Sequence, residues 1–172
     1  MKVIFLGHDG VICLSQQWGG RFKKPGFDSN PETPLDIRMD SFDKKAVKVL
    51  NEILDITGSE IVVSSDWKRW GTLEQMKEMY ETRGIKSPID LTPNMKDFDD
   101  LGYGMLYYKN KHEAIRVIEI EKWLSDHPEV THWVAIDDMD LSKLDNFVLT
   151  ARPYNEGIKQ SGIKHKIVNF LI

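Results

Sequence analysis

The alternation of short apolar runs with helical patterns constrains this chain more than any other feature of its sequence. Three runs rich in β-branched and aromatic residues end abruptly in small or acidic residues, which is typical of buried strands that lead into loops. These runs lie at residues 2–6, 60–65 and 131–136. Amphipathic patterns with helical spacing separate them, at residues 41–58, 72–84 and 112–126. The sequence therefore predicts an α/β fold, a three-layer Rossmann-like parallel sheet with helices on both faces.

Local signals predict where several elements begin and end. Ser41 is a candidate N-cap for the first helix, and Gly58 is placed to end that helix. Thr72 and Gln75 have the spacing of a capping box at the start of the next helix. We also expect two further short strands, near residues 89–91 and 147–150.

The length of 172 residues fits one domain, residues 1–172, with a core of ordinary size. Residues 14–38 carry Gly, Pro, Asn and Ser at many positions, which predicts a small flap or cap inserted after the first strand. Arg21, Lys23 and Lys24 lie in this flap, and two interpretations stay open for them. They form either a solvated basic stretch or a contact with a phosphate group of the substrate or with a nucleic-acid backbone.

Charge and cysteine content exclude several classes of protein. The chain has 23 basic and 27 acidic residues, and its net charge of −4 argues against a broad nucleic-acid-binding surface but not against a local basic pocket. Cys13 is the single cysteine, so an internal disulfide is impossible. The apolar start is too short for a signal peptide or a membrane span, and we expect a cytoplasmic protein without membrane contact. The oligomeric state has no signature in the sequence.

Polar residues that can carry chemistry follow three of the predicted strands. They are the segments Gly7-His8-Asp9-Gly10, Ser64-Ser65-Asp66 and Asp137-Asp138. Taken singly, an Asp-Gly pair is most often a plain turn, and an acidic pair after a strand often caps the next turn. In an open parallel sheet, however, ligands bind outside the carboxyl ends of the strands, so all three segments are expected at one site.

This set of segments resembles the haloacid dehalogenase (HAD) superfamily of phosphohydrolases. That superfamily has an Asp-x-Asp-Gly motif after its first strand, a Ser or Thr after a later strand, and an acidic pair after another. The chain is most similar to the small HAD domains of phage and bacterial RNA-repair proteins. They share three patterns with it: Ser64-Ser65-Asp66-Trp67, the segment from Glu119 to Leu124, and Asp137-Asp138 with a later Gly157-Ile158. The resemblance implies a HAD-like fold with a small cap or none.

The resemblance also implies the catalytic roles at the first motif. In such enzymes the first Asp attacks phosphorus, and the second protonates the leaving oxygen and then activates water. Asp9 takes the position of the acid and base. The nucleophile position is Gly7, which has no side chain for attack. The resemblance therefore predicts a phosphatase scaffold that is inactive or crippled as it stands.

Phosphate and metal ligands follow by the same resemblance. Ser64, with Ser65 as a second candidate, would donate to a phosphate oxygen. A cation should neutralise the phosphate, and three candidates remain open for it, with Lys111 first, Arg116 second and Lys109 behind them. Mg²⁺ would be held by Asp137 and Asp138 together with the backbone carbonyl of Asp9, and the absence of a carboxylate at position 7 should weaken its binding.

Two hypotheses of function stay open at this point. The first is Mg²⁺-dependent hydrolysis of a phosphomonoester, a nucleotide or a nucleic-acid end, impaired by Gly7. The second is a pseudoenzyme that binds or sequesters a phosphorylated small molecule, a nucleotide or a protein partner. The sequence does not identify the substrate, because substrate choice in this superfamily depends on the cap or flap.

Overall fold

The structure is a computed structural model, and it describes residues 1–14, 32, 35, 42–95, 111–150 and 156–172. Most of the expected flap at residues 14–38 lies outside the described residues, and so does Lys109.

Within the described residues, five parallel strands form the central sheet. In chain order they are β1 (Lys2–Leu6), β2 (Glu60–Val63), β3 (Asp90–Leu91), β4 (His132–Asp137) and β5 (Phe147–Leu149). Their order across the sheet is β3-β2-β1-β4-β5, with β1 at the centre. Leu6 pairs with Val63 on one side and with Ile136 on the other, so β1, β2 and β4 end at one edge of the sheet.

Helices cover both faces of the sheet. They are α1 (Lys44–Thr57), α2 (Leu73–Thr82), α3 (Lys111–Asp126) and α4 (Ile163–Leu171). The side chains of β1 alternate between two apolar clusters: Ile4 and Leu6 pack with α1, α2 and α4, whereas Val3 and Phe5 pack with α3. The expected three-layer α/β architecture is confirmed.

The helix ends explain where each element stops. The side chain of Asp43 accepts a hydrogen bond from the Ala46 amide at 2.9 Å and caps α1, so the assignment of this cap to Ser41 was wrong. Gly58 ends α1 in the left-handed conformation with φ 66°, as expected. Thr72 and Gln75 form the expected capping box at the start of α2.

Helix α4 is an element that the sequence analysis did not identify. Ile163, Ile167 and Leu171 recur at a spacing of four residues and pack into the cluster that also contains α1. That periodicity was available in the sequence. None of the described helices is both long enough and apolar enough to span a membrane.

Candidate active site

A small polar pocket opens at the carboxyl edge of the sheet, next to the boundary between β1 and β4. The strand order reverses at this boundary, because β2 and β3 lie on one side of β1 and β4 and β5 on the other. Open α/β sheets bind ligands at such a switch point. The pocket is lined by Gly7, His8, Asp9, Ser65, Asp66, Arg116, Asp137, Asp138 and Met139. The structure thus brings residues from all three predicted segments together at one site, which we call the carboxylate pocket.

The loop after β1 is held rigidly against the pocket. The Gly7 amide donates to the Ile136 carbonyl at 2.9 Å, which extends the pairing of β1 with β4. The His8 carbonyl accepts hydrogen bonds from three successive amides, those of residues 11–13. Gly10 has a φ of 74°, and a Cβ there would lie 2.5 Å from Asp138 Oδ2, so this position requires glycine.

Position 7 faces the first acidic residue of the β4 segment. A Cβ built on Gly7 would lie 3.0 Å from Asp137 Oδ2 and 3.1 Å from the Ile136 carbonyl oxygen. These distances are shorter than ordinary van der Waals contacts, so a side chain at position 7 would displace the Asp137 carboxylate by a few tenths of an ångström. Asp137 therefore lies close to the place that a nucleophile at position 7 would occupy.

Asp9, the expected acid and base, lines the carboxylate pocket and is partly buried. Its Oδ2 accepts a hydrogen bond from the indole N–H of Trp67 at 3.2 Å. Trp67 is fully buried, and its ring packs against His8 at 4.6 Å between centroids. Burial of the indole fixes the direction from which Asp9 is held.

The two serines after β2 have different surroundings. Ser65 lines the carboxylate pocket, and its hydroxyl oxygen accepts from the Trp67 amide at 3.2 Å, which caps the 3₁₀ helix Asp66–Arg69. Ser64 is 1 % exposed, and its Oγ has no hydrogen-bond partner among the described residues. The sequence ranking placed Ser64 first, whereas in the structure Ser65 lines the pocket.

Arg116 is the cation that lines the carboxylate pocket. It projects from α3 and forms ion pairs with Asp137 at 2.5 Å and with Asp66 at 3.0 Å. Burial disfavours the charged form of Arg116, but the carboxylates of Asp137 and Asp66 outweigh this and raise the pKa of the guanidinium. The same pair lowers the pKa of Asp66 despite burial of that carboxyl. Lys111, the first-ranked candidate, is exposed at the start of α3 and is not among the lining residues.

The two carboxylates of the acidic pair at the end of β4 differ in their contacts. Asp137 Oδ1 accepts from the Met139 amide at 3.0 Å and Oδ2 from Arg116, so both oxygens are engaged. Burial, followed by the charge of Asp137, raises the pKa of Asp138 to about 7. Asp138 is thus the carboxylate of the pair that would gain most from a bound cation.

The pocket carries more negative than positive charge. Four carboxylates line it against one guanidinium, a formal excess of three negative charges. An oxygen-rich set of this kind suits a hard divalent cation. Among the described residues, no three His, Cys, Asp or Glu side chains are grouped to hold a metal ion by themselves. The residues fit a cation held by one or two carboxylates, with backbone, water or ligand oxygens completing its shell.

A pH-dependent stability follows from the raised pKa of Asp138. In metal-free solution the unfolded chain loses this proton near its ordinary pKa of 3.8, whereas the folded chain keeps it until about pH 7. The carboxyl therefore destabilises the fold increasingly between these two pH values. We expect Asp138→Asn to be more stable than the parent by roughly 2 to 4 kcal/mol at a pH of about 8, and equal to it at about pH 4. Urea unfolding in EDTA at each pH measures the free energy of unfolding of the parent and the variant, and Asp145→Asn, at an exposed carboxylate, is the control. A stability difference that does not change with pH would contradict the prediction.

A buried ion network supports the pocket, and the sequence analysis missed it. Lys68 and Glu119 form a salt bridge in which both side chains are fully buried, and Lys68 Nζ also donates to Thr92 at 2.7 Å. Glu119 Oε1 accepts from Arg69 and from the Met95 amide, both at 2.9 Å. The available signal was a Glu between Ile118 and Ile120 on a buried stretch of α3.

Arg69 links this network to the carboxylate pocket. It contacts Glu119 and, through Nε at 3.4 Å, Asp66, which in turn contacts Arg116. Burial lowers the pKa of Lys68 to about 8, and the adjacent Glu119 opposes this shift. The network therefore fixes the 3₁₀ helix that carries Asp66 against α3.

Comparison with known proteins agrees with this arrangement. Residues 3–158 match the family model described as the HAD domain in Swiss Army Knife RNA repair proteins. No curated protein matches the chain, and no solved structure matches it. The matched region covers the described sheet apart from Lys2, the first residue of β1, and it includes all residues that line the carboxylate pocket. The chain therefore belongs to the HAD superfamily, in the family of HAD domains of Swiss Army Knife RNA repair proteins.

Proposed function

We propose that the carboxylate pocket binds a phosphomonoester, either a nucleotide or the phosphorylated end of a nucleic acid, together with Mg²⁺, and that Gly7 prevents efficient hydrolysis. The observation that supports this most directly is the arrangement of Asp9, Arg116 and the Asp137-Asp138 pair around position 7. Membership of an RNA-repair family of HAD domains favours a nucleic-acid end among the possible phosphomonoesters.

The excess of carboxylates supports a requirement for the cation. A phosphate dianion would meet three ionised carboxylates and one guanidinium in the pocket, with Asp138 as a fourth carboxylate above about pH 7, and this charge balance repels it. Asp138 is our first candidate for the metal ligand, with Asp137 and the carbonyl of Asp9 beside it. When bound, Mg²⁺ would neutralise charge on the phosphate oxygens and orient the ester.

The chain's own residues take the remaining roles. Arg116, held by Asp66 and Asp137, would contact the phosphate in place of Lys111, and Ser65 is the serine that lines the pocket. Asp9 would donate a proton to the leaving oxygen and later accept one from water. Gly7 offers no carboxylate to attack phosphorus, so the acyl phosphate that is the typical first intermediate of the superfamily would not form.

A second candidate function is ligand binding without turnover. The observation that favours it is the position of Asp137, whose Oδ2 pairs with Arg116 and lies 3.0 Å from where a Cβ of residue 7 would be. The Arg116–Asp137 ion pair therefore occupies space that a side chain at position 7 would need. Under this alternative the protein would sequester the phosphorylated ligand. The two candidates share the binding site and differ in whether a carboxylate at position 7 restores chemistry.

Calorimetry tests the shared binding step. We expect a nucleoside monophosphate to bind at least about tenfold more tightly in Mg²⁺ than in EDTA, because the cation cancels the carboxylate excess. Asp138→Asn should remove most of this difference, whereas Asp145→Asn, an exposed carboxylate outside the pocket lining, should preserve it. Equal affinity with and without Mg²⁺, or no binding in either solution, would refute the proposal.

A further inference from the structure

The loop after β1 is held by distant parts of the chain through three successive carbonyls. Those of residues 11–12 accept hydrogen bonds from backbone amides, of Ile158 at 3.0 Å and of Asp43 at 2.7 Å. The Gly10 carbonyl accepts instead from a side chain, the hydroxyl of Thr150, at 3.0 Å. Of these three contacts, the one with Thr150 is therefore the one that a side-chain substitution can remove.

Thr150 joins this loop to the acidic pair at the end of β4. It is fully buried, it follows β5 directly, and its amide donates to the Asp137 carbonyl at 2.9 Å. Its hydroxyl donates to Gly10 at the same time. A Cβ built on Gly10 would lie 2.5 Å from Asp138 Oδ2, so the Gly10 backbone packs directly against that carboxylate. Thr150 thus links the Gly10 backbone to the segment that carries Asp137 and Asp138.

The glycine at position 10 explains why the loop needs this contact. Gly10 has a φ of 74°, and glycine adopts positive and negative φ about equally readily. The peptide group between Asp9 and Gly10 can therefore rotate at low cost unless hydrogen bonds hold Gly10 on both sides. Its amide donates to the Cys13 carbonyl at 2.9 Å, and its carbonyl accepts from Thr150. The same peptide group carries the Asp9 carbonyl, a ligand of Mg²⁺ in the proposed function.

We propose that Thr150 is a positioning residue, which holds the Asp9–Gly10 peptide group in one orientation beside the acidic pair and so supports cation-dependent binding in the carboxylate pocket. The inference rests on the proposed function and deepens it, because Thr150 is not among the residues that line the pocket. Without the hydroxyl, the buried Gly10 carbonyl loses its donor, and the peptide group can leave the orientation that the structure shows.

Three variants separate positioning from a general loss of stability. Thr150→Val keeps the shape of the side chain and removes the donor, whereas Thr150→Ser keeps the hydroxyl. Thr57→Val is the matched control, because Thr57 is also buried and donates to the Ile53 carbonyl at 2.8 Å, outside the pocket lining. We expect all three to fold, since the Ile158 amide still holds the loop in the Thr150 variants. Urea unfolding confirms this and matches the two valine variants in stability.

Amide hydrogen exchange in EDTA measures the loop without any ligand. In Thr150→Val, we expect the amides of residues 10–13 to accelerate about tenfold more than those of residues 4–6 in β1, because the loop opens locally. In Thr150→Ser and Thr57→Val, the two sets of amides should change alike, within about twofold.

Calorimetry with adenosine monophosphate (AMP) in Mg²⁺ and in EDTA measures the consequence for binding. Thr150→Val should bind AMP about five- to tenfold more weakly than the parent in Mg²⁺, and within about twofold of the parent in EDTA. Thr150→Ser and Thr57→Val should match the parent in both solutions. A loss confined to the Mg²⁺-dependent part of the affinity is not expected from reduced stability alone, which Thr57→Val shares.

Four results would overturn the inference. They are a Mg²⁺-dependent affinity that Thr150→Val retains in full, an equal loss with Thr57→Val, no recovery with Thr150→Ser, and loop amides that only follow those of β1 in Thr150→Val. Another result separates the inference from the proposed function. If the parent binds no AMP in either solution, but Thr150→Val alone accelerates exchange in the loop, the positioning of the loop by Thr150 is supported and phosphomonoester binding in the carboxylate pocket is refuted.

Discussion

Gly7→Asp should convert the chain into a Mg²⁺-dependent phosphatase, with phosphate release from nucleoside monophosphates or phosphorylated RNA at least about a thousandfold faster than from the parent. The introduced carboxylate would attack phosphorus while Asp9 protonates the leaving oxygen. Water activated by Asp9 would then cleave the acyl phosphate and release inorganic phosphate. The gain is large because the other groups of the site are already assembled around position 7.

Steric crowding sets a condition on this result. The new side chain begins 3.0 Å from Asp137 Oδ2, so the Arg116–Asp137 ion pair must adjust before the carboxylate fits. Gly7→Asn is the matched control, since it has the same size and no nucleophilic carboxylate, and it should stay inactive. A mass increase of one phosphoryl group after acid quenching should appear with Gly7→Asp alone. If Gly7→Asp folds, binds the nucleotide and releases no phosphate, the result supports ligand binding without turnover and refutes the proposal of an impaired phosphatase.

Glu119→Gln should destabilise the fold by about 3 to 5 kcal/mol, measured by urea unfolding near neutral pH. The substitution leaves the Lys68 ammonium buried without its counter-charge and weakens the contacts of Arg69 and the Met95 amide with the same carboxylate. Removal of one member of a fully buried ion pair costs far more than loss of an exposed pair, because the remaining group must either stay charged without hydration or give up its proton.

The same helix provides the comparison. Lys122 and Asp126 form an exposed pair one turn apart on α3, and Asp126→Asn should cost less than about 1 kcal/mol. Lys68→Met combined with Glu119→Gln should recover part of the stability, since no buried charge then lacks a partner. If Glu119→Gln costs no more than Asp126→Asn, the buried network does not stabilise the 3₁₀ helix that carries Asp66.

The sequence by itself determined the architecture and the location of the site. Periodicity is a local property, so the apolar run of β1 and the helical spacing in α3 were readable without coordinates. The carboxyl ends of parallel strands share one edge, and this rule alone placed Asp9, Ser65 and Asp137 at a common site. The role expected of position 7 came from the resemblance to the HAD superfamily, whose first motif stands directly after the first strand.

The tertiary structure decided which neighbouring candidate faces the site. Lys111 and Arg116 are five residues apart on α3, and their directions around the helix differ, so the packing of α3 on the sheet determines which one reaches Asp137. The pairing of Lys68 with Glu119, 51 residues away, likewise depends on that packing. Local patterns record which residues form an element, whereas the partner of a charged side chain is set by contacts distant in the chain.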